Sequence, residues 1–544
     1  LSQGLYAEAL SIADNYYNSN SVGKLTVVGL PQNQKQRGDL IEPYLIKIMR
    51  EAMPHLIQSD HESYITLCLN IIAYLAVPND LLEALYEIVQ DNSIFFQALE
   101  PFILSGLILS LPPVVLKALI QYYVKAENQQ STNMDDDGEL LTEIICTLDI
   151  KLLDIDLTIQ LCKQYNLREC LVYVWNFVLN DYQTPLVDFF VDIKKNPSSP
   201  DNFKVYTYLS YILTGRQYPI DKFINNDMVA KKTICDILFS SSTISSVPTE
   251  NGNTIFPYFY TLLKFDSLEM LSCLNEFFED LFLNEDPKLN RQYLIEALID
   301  IFEANDEQFT DFDKCQLLIF IARNYPKYSQ FLRLSDSILS DVFNRLCENK
   351  SESIFLDCEL ALQSLLPYFE PEDEYYVEKL EMAKYYNVLI NMYKSEGMFS
   401  QALKMWLKRE HENASEDTLD NETPEMDIDG GSDDHDHDHV DQLYLLLESS
   451  FASSKNPSDR LNLVKIVKDN FGKFLKLNYV SDYNISRFVN LIEQFLPNLH
   501  LEVLKLTSSS DKTDVDNEIV LSYLREVFLI SKSIDLTQFI NRYV

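Results

Sequence analysis

Apolar residues recur along this chain at intervals of three and four, in segment after segment, with polar residues between them. From Tyr375 onward, Val377, Leu380, Tyr385, Val388, Leu389 and Met392 mark one buried helical stripe. Helix starts are written in capping chemistry. Asp80 and Glu83 have capping-box spacing around the apolar run Leu81, Leu82, Leu85 and Ile88. Thr184-Pro185 and Asp286-Pro287 place a capping side chain before a proline at the first helical position, and Ser458 precedes Asp459 in the same manner. Pro, Asn or Gly punctuates the chain every few tens of residues, as helix-turn-helix repeats require. Strand signal is thin. The run Lys24 to Leu30 reads as an extended connection between helices.

One turn recurs. The chain reads Gly4-Leu5-Tyr6-Ala7-Glu8-Ala9-Leu10 near its start and Gly397-Met398-Phe399-Ser400-Gln401-Ala402-Leu403 much later, with a degenerate copy at Asn166-Leu167-Arg168-Glu169-Cys170-Leu171. In the last two copies a tryptophan, Trp406 or Trp175, follows the small-Leu pair. Gly and Asn tolerate the left-handed conformation that ends a helix. The small residue admits the next helix closely, and leucine and the aromatic fill the groove. The pattern predicts an all-α, elongated α-solenoid of helix-turn-helix repeats of the tetratricopeptide or clathrin-repeat kind. Its expected organisation is a solenoid over 1–411, an acidic disordered insertion over 412–442, and solenoid again over 443–544. Glu127 to Gly138, Asn196 to Asn202, Ser240 to Asn253 and Thr507 to Asn517 are polar and aliphatic-poor, and are read as loops within one array.

Composition sharpens this picture. Twelve glycines in 544 residues is about a third of the usual share, leaving few places to cradle a phosphate or crowd a cofactor. The longest apolar runs, such as Phe102 to Leu111, fall short of the roughly 20 residues of a membrane span. No signal peptide is visible, and the chain opens on Leu1 rather than Met, which reads as a piece of a longer protein. Nine cysteines stand singly with no CxxC, so core thiols in a reducing cytosol are expected rather than disulfides or zinc. A net charge of −39 argues against nucleic acid and against direct adsorption on anionic lipid. Glu412 to Gln442 holds thirteen acidic residues and no Lys or Arg, yet the remainder is still acidic.

Candidate chemistry is sparse. Metal ligands cluster only in Asp433-Asp434-His435-Asp436-His437-Asp438-His439, where a hydrated loop offers no fixed geometry; a solvated low-complexity tract is expected. With His411 nearby, the other histidines, His55, His61 and His500, lie far apart in sequence. No HExxH, GxSxG, P-loop or GxGxxG occurs. Glu372-Asp373-Glu374 is accounted for as a helix start after Pro371. Lys465, Lys468, Lys473 and Lys476 surround Leu463, Ile466, Val467 and Phe471, and read as a solvated face balancing neighbouring charge. The expectation is no catalytic, cofactor-binding or metal-binding residue, no cofactor, and no enzyme. No partner-binding residue stands out.

Several strings go beyond a generic solenoid. They are Ala9-Leu10, Val27-Val28-Gly29-Leu30, Leu111-Pro112-Pro113-Val114-Val115-Leu116 with Tyr122-Tyr123, the run Cys170 to Leu186 around Trp175, and Tyr208 to Pro219 ending Thr214-Gly215-Arg216-Gln217-Tyr218-Pro219. Together they resemble the central region of the vacuolar protein sorting protein eight family, most specifically around Trp175 and over Thr214 to Pro219. The resemblance covers the solenoid only, without the family's N-terminal β-propeller or C-terminal RING finger. It implies a non-catalytic subunit of the CORVET endosomal tethering complex, acting in Rab-dependent tethering and transport to the vacuole or lysosome. The implied partners are class C core subunits and an early-endosomal Rab GTPase, with a cytoplasmic location at endosomes and membrane contact only through proteins. Rival readings are a coat or nuclear-pore component, or an acidic nuclear transport receptor of the HEAT type.

Overall fold

The computed structural model describes residues 5–18, 34–57, 61–75, 78–89, 91–129, 136–240, 255–286, 288–349, 351–368, 374–416, 433–478, 482–502 and 517–530. The expected strand-like run at 24–30 lies outside them, as do most of Ser240 to Asn253 and Thr507 to Asn517. Among the described residues the chain is helical, with one isolated bridge between Arg216 and Phe223. It divides into two compact units, residues 1–290 with 303–305 and residues 291–302 with 306–544.

The first unit contains α1 (Tyr6–Asn18), α2 (Gln34–Leu56), α3 (His61–Ile72), α4 (Pro78–Ile88), α5 (Asn92–Leu104), α6 (Pro113–Gln129), α7 (Asp136–Thr147), α8 (Ile155–Gln164), α9 (Arg168–Val174), α10 (Gln183–Lys195), α11 (Lys204–Leu213), α12 (Asp227–Leu238), α13 (Pro257–Phe265), α14 (Ser267–Phe278) and α15 (Phe282–Glu285). Helices α2, α4, α6 and α8 pack in one row, and α3, α5, α7 and α9 in a second. Each row buries the stripe of the other. In α5 the buried residues Phe95, Phe96, Leu99, Phe102 and Ile103 follow the spacing of a single face. This two-row stack of helix pairs is an α-solenoid.

The second unit contains α16 (Arg291–Ala304), α17 (Asp311–Lys327), α18 (Asp336–Glu348), α19 (Phe355–Leu365), α20 (Glu374–Met382), α21 (Tyr386–Ser395), α22 (Phe399–Glu416), α23 (Asp433–Ser453), α24 (Pro457–Asp469), α25 (Phe471–Asn478), α26 (Asp482–Phe495) and α27 (Asn517–Ile530). The sequence α17, α19, α21 repeats the alternate-helix packing, with α18 against α20 and α22 against α24. Of the segment 412–442, residues 417–432 lie outside the description, and the Asp-His run falls at the start of α23.

Left-handed residues close the helices. Gly397 and Asn166 have φ of 73° and 56°, as the recurring turn predicts. Met398 N–H donates to the Tyr393 carbonyl and Gly397 N–H to that of Lys394; Leu167 and Asn166 repeat the pair on Cys162 and Lys163. These are Schellman caps, and Gly106, Gly215 and Lys384 make three more. The Lys384 cap divides the stripe expected from Tyr375 into α20 and α21, and Val377 is only half-buried. Lysine had given no signal for a position that favours glycine.

Helix starts differ from expectation by a few residues. The α4 helix begins at Pro78, with Asp80 already inside its first turn. Asp181, not Thr184, receives the N–H groups of Gln183 and Thr184 at the start of α10. Asp286 accepts from Lys288 and Leu289 N–H in a turn before α16 rather than capping a helix. Asn456 caps α24, leaving Asp459 to accept from Phe399 and Ser400 N–H at the start of α22. Here a side chain remote in sequence supplies the cap. Asn196 to Asn202 is also no loose loop. Asn202 is buried and donates to the Asn196 carbonyl at 2.7 Å.

Buried tyrosines link helices by reaching carbonyl groups elsewhere in the stack. Tyr206 donates to Leu262 at 2.8 Å, Tyr208 to Tyr182 at 3.1 Å, Tyr385 to Leu346 at 3.1 Å and Tyr444 to Asn484 at 2.6 Å. Each ring fills space while its hydroxyl satisfies backbone. All nine cysteines are buried and free, as expected of core thiols, and burial pushes Cys68 up to about 12.

Two glycines test the caps. Gly397→Ala is expected to cost about 1 kcal/mol through φ alone. Gly215→Ala should cost more, because its Cβ meets Asp227 Oδ2 at 2.9 Å while nothing lies within 4 Å at Gly397. Urea denaturation of both variants measures the difference, and equal losses would contradict the Asp227 contact.

Candidate interaction surfaces

In the first unit, the irregular segment between α11 and α12 is held by many contacts. Gly215, at φ 77°, ends α11, and Ile224 N–H returns to its carbonyl at 2.9 Å. Gln217 N–H donates to Lys222 O at 2.7 Å, making a small folded loop around the Arg216–Phe223 bridge. Arg216 lies over Tyr211 at 4.7 Å and pairs with Glu276 at 3.3 Å. Tyr218 meets Tyr208 and Tyr211 edge-on and donates to Glu169 at 3.3 Å. Burial pushes the Tyr218 phenol well up, and the Glu169 carboxylate adds to the shift.

Beside the loop, Lys231 is buried between Asp227 and Asp280, at 2.6 and 2.7 Å. Burial alone lowers its pKa, but the two carboxylates outweigh that and raise it. Asp227 thus fixes Lys231 and sets the space available at Gly215. On this base the loop displays Phe223, 83% exposed. An aromatic carried on a braced loop is the form of an interface anchor, because little freedom remains to be lost on docking. Residue-pattern reasoning missed Phe223, since an aromatic among Lys222, Ile224 and Asn225 reads equally well as core.

Of the remaining sequence candidates, His55 and His61 belong to the first unit and His500 to the second. His55 stacks on Tyr6 at 4.5 Å in the first unit, and His61 begins α3 there. His500 belongs to the second unit, fully buried between Tyr523 Oη at 2.9 Å and Glu493 at 3.1 Å. Burial lowers the His500 pKa below 6.5, against the opposing pull of Glu493. Among the described residues, no group of three or more His, Cys, Asp or Glu is arranged to hold a metal. The side chains of 433–440 are outside that description. Lys465, Lys468, Lys473 and Lys476 are exposed while Leu463, Val467 and Phe471 are buried, so α24 and α25 do carry a solvated basic face. No helix among the described residues is long and apolar enough to cross a membrane.

The braced loop and the Trp175 turn lie inside a recognisable stretch. Residues 94–278 match the family described as the Vps8 central TPR. Over that stretch the chain is similar to the Vps8 central region. Vacuolar protein sorting-associated protein 8 of Saccharomyces cerevisiae is 28% identical over 453 residues, covering 77% of this chain and 32% of that protein. The human homologue is 24% identical over 438 residues, covering 75% and 30%, and the Drosophila melanogaster homologue 25% over 282 residues, covering 51% and 22%. The chain therefore spans about a third of the length of the first two relatives. The matched stretch includes the two most specific strings. The run around Trp175 forms α9, a π-helical turn over Trp175–Leu179 and α10, and Thr214 to Pro219 forms the first half of the Phe223 loop.

Two measurements check these assignments. Phe223→Ala should leave the stability measured in urea unchanged within about 0.5 kcal/mol, whereas Tyr218→Ala should cost about 3–5 kcal/mol. His500 makes the second unit acid-sensitive. The unfolded chain takes up a proton below 6.5 and the buried ring does not, so stability is complete above that value and falls as pH drops below it. Between about pH 7.5 and about pH 5.5, His500→Gln should lose less stability than the parent in urea denaturation followed by Trp406 emission, both in a Trp175→Phe background.

Proposed function

We propose that the chain is a non-catalytic scaffold segment of an endosomal, CORVET-type tethering subunit that serves transport to the vacuole or lysosome. The observation that carries this is the alignment of three quarters of the chain with fungal and human proteins named for vacuolar protein sorting. The architecture is consistent with it. Stacked helix pairs make long surfaces from weak local contacts, the form suited to holding partners apart and together. The His500–Glu493 pair is fully buried at the histidine, as a structural contact is.

In this reading the partners are class C core subunits and an early-endosomal Rab GTPase, and the protein works in the cytoplasm at endosome membranes. Its net charge of −39 repels anionic lipid, so the membrane is reached through those partners. The test is a pull-down with the 544-residue chain, purified class C core subunits and an early-endosomal Rab loaded with GDP or a non-hydrolysable GTP analogue. Retention of core subunits together with analogue-dependent retention of the Rab is the expected result. Retention of neither would overturn the reading.

A further inference from the structure

Two thiols of the second unit meet where α17 packs against α19. Cys315 is the fifth residue of α17 and Cys358 the fourth of α19, and their sulfurs lie 3.5 Å apart. The side-chain amide of Asn349, the residue that ends α18, donates to the Cys358 sulfur at 3.5 Å. Cys358 thus stands in the first turn of a helix, where the backbone dipole favours negative charge. The acid beside it in sequence, Asp357, is paired with Arg323 at 2.7 Å.

These surroundings set the pair apart from singly placed core thiols. Burial pushes Cys273 and Cys347 up to about 12, as it does Cys68. Cys358 moves the other way. The hydrogen bond from Cys315, with a smaller contribution from Asn349, draws it below its ordinary range against the effect of burial. Cys315 keeps its proton and is pushed up by the same bond and by burial. One sulfur therefore has the thiolate character of a nucleophile, and its neighbour the proton of a resolving thiol. Cys358 is 0% and Cys315 5% exposed, but the cover is thin. Asn349 is half-buried, and Ser351, Glu352 and Ser353 after it are exposed. A local opening of this connection admits a molecule little larger than water to Cys358.

We propose that Cys315 and Cys358 form a redox-responsive site, which hydrogen peroxide converts to a disulfide joining α17 to α19. The Cys358 thiolate attacks one peroxide oxygen and the O–O bond breaks. The hydroxide that leaves takes up the proton Cys358 had released, giving water, and Cys358 becomes a sulfenic acid. The Cys315 sulfur then attacks the sulfenic sulfur. The S–O bond breaks, and its hydroxyl departs with the Cys315 proton as a second water. Two thiols and one peroxide thus give one disulfide and two waters. The sulfurs, now 3.5 Å apart, must approach by about 1.5 Å to reach bonding distance. The bond locks α17 against α19 across α18, and reduction releases it, as befits a transient disulfide in a reducing compartment. This inference stands on the thiol geometry and does not depend on the endosomal reading.

The test is mass spectrometry of the full chain, treated in the folded state with hydrogen peroxide, alkylated, and digested with trypsin without reduction. Trypsin places Cys315, Cys347 and Cys358 on separate peptides, Cys315–Arg323, Leu346–Lys350 and Ser351–Lys379. The expected product is the first peptide joined to the third, two hydrogens lighter than their sum, and returned to free thiols by dithiothreitol. In Cys315→Ala, Cys358 should instead be trapped as a sulfenic acid by dimedone. In Cys358→Ala, dimedone labelling of Cys315 should be about tenfold weaker or less. Circular dichroism verifies that both variants fold, and the digest of the parent decides the matter without them. Thiols at 315 and 358 that stay free would overturn the proposal. So would a bond to Cys347, or one among Cys146, Cys162 and Cys170 of the first unit, formed in place of the expected one. Oxidation of Cys358 beyond the sulfenic acid, with no linked peptide, would do the same.

Discussion

No helix of this chain can bury its apolar stripe alone, and the fold follows from how each one is covered. A helix such as α5 has buried residues across a face broad enough to meet helices on two sides, and it receives them from α3 and α7. Covering by the next helix but one forces the chain to reverse at every helix end and to do so in few residues. Schellman caps meet that demand. They satisfy two terminal carbonyls and turn the backbone within a single left-handed residue. Gly106, Asn166, Gly215, Lys384 and Gly397 occupy that place, and each is followed by a helix or a short ordered segment.

Reversal by caps leaves the interior with helix-end carbonyls to satisfy, and this explains the use of tyrosine. The hydroxyls of Tyr206 and Tyr385 reach carbonyls close to the ends of α13 and α18. Phenylalanine would fill the same volume and leave those oxygens with one partner fewer. Among 32 tyrosines, several are therefore structural ties rather than interface anchors. The aromatic that does face solvent from a braced loop is Phe223, where no carbonyl has to be met.

The sequence made the architecture legible because period and caps are local signals. The stripes of α4 and α21, the left-handed turns at Asn166 and Gly397 and the buried cysteines all follow from neighbours in sequence. What escaped was set by tertiary contact. Asp459 caps a helix that begins 60 residues earlier, Asp181 displaces Thr184, and Lys384 takes a glycine-like conformation because α20 and α21 must pack. The candidate surface escaped for the same reason. Phe223 is indistinguishable by its neighbours from a core aromatic, and only the fold shows it exposed.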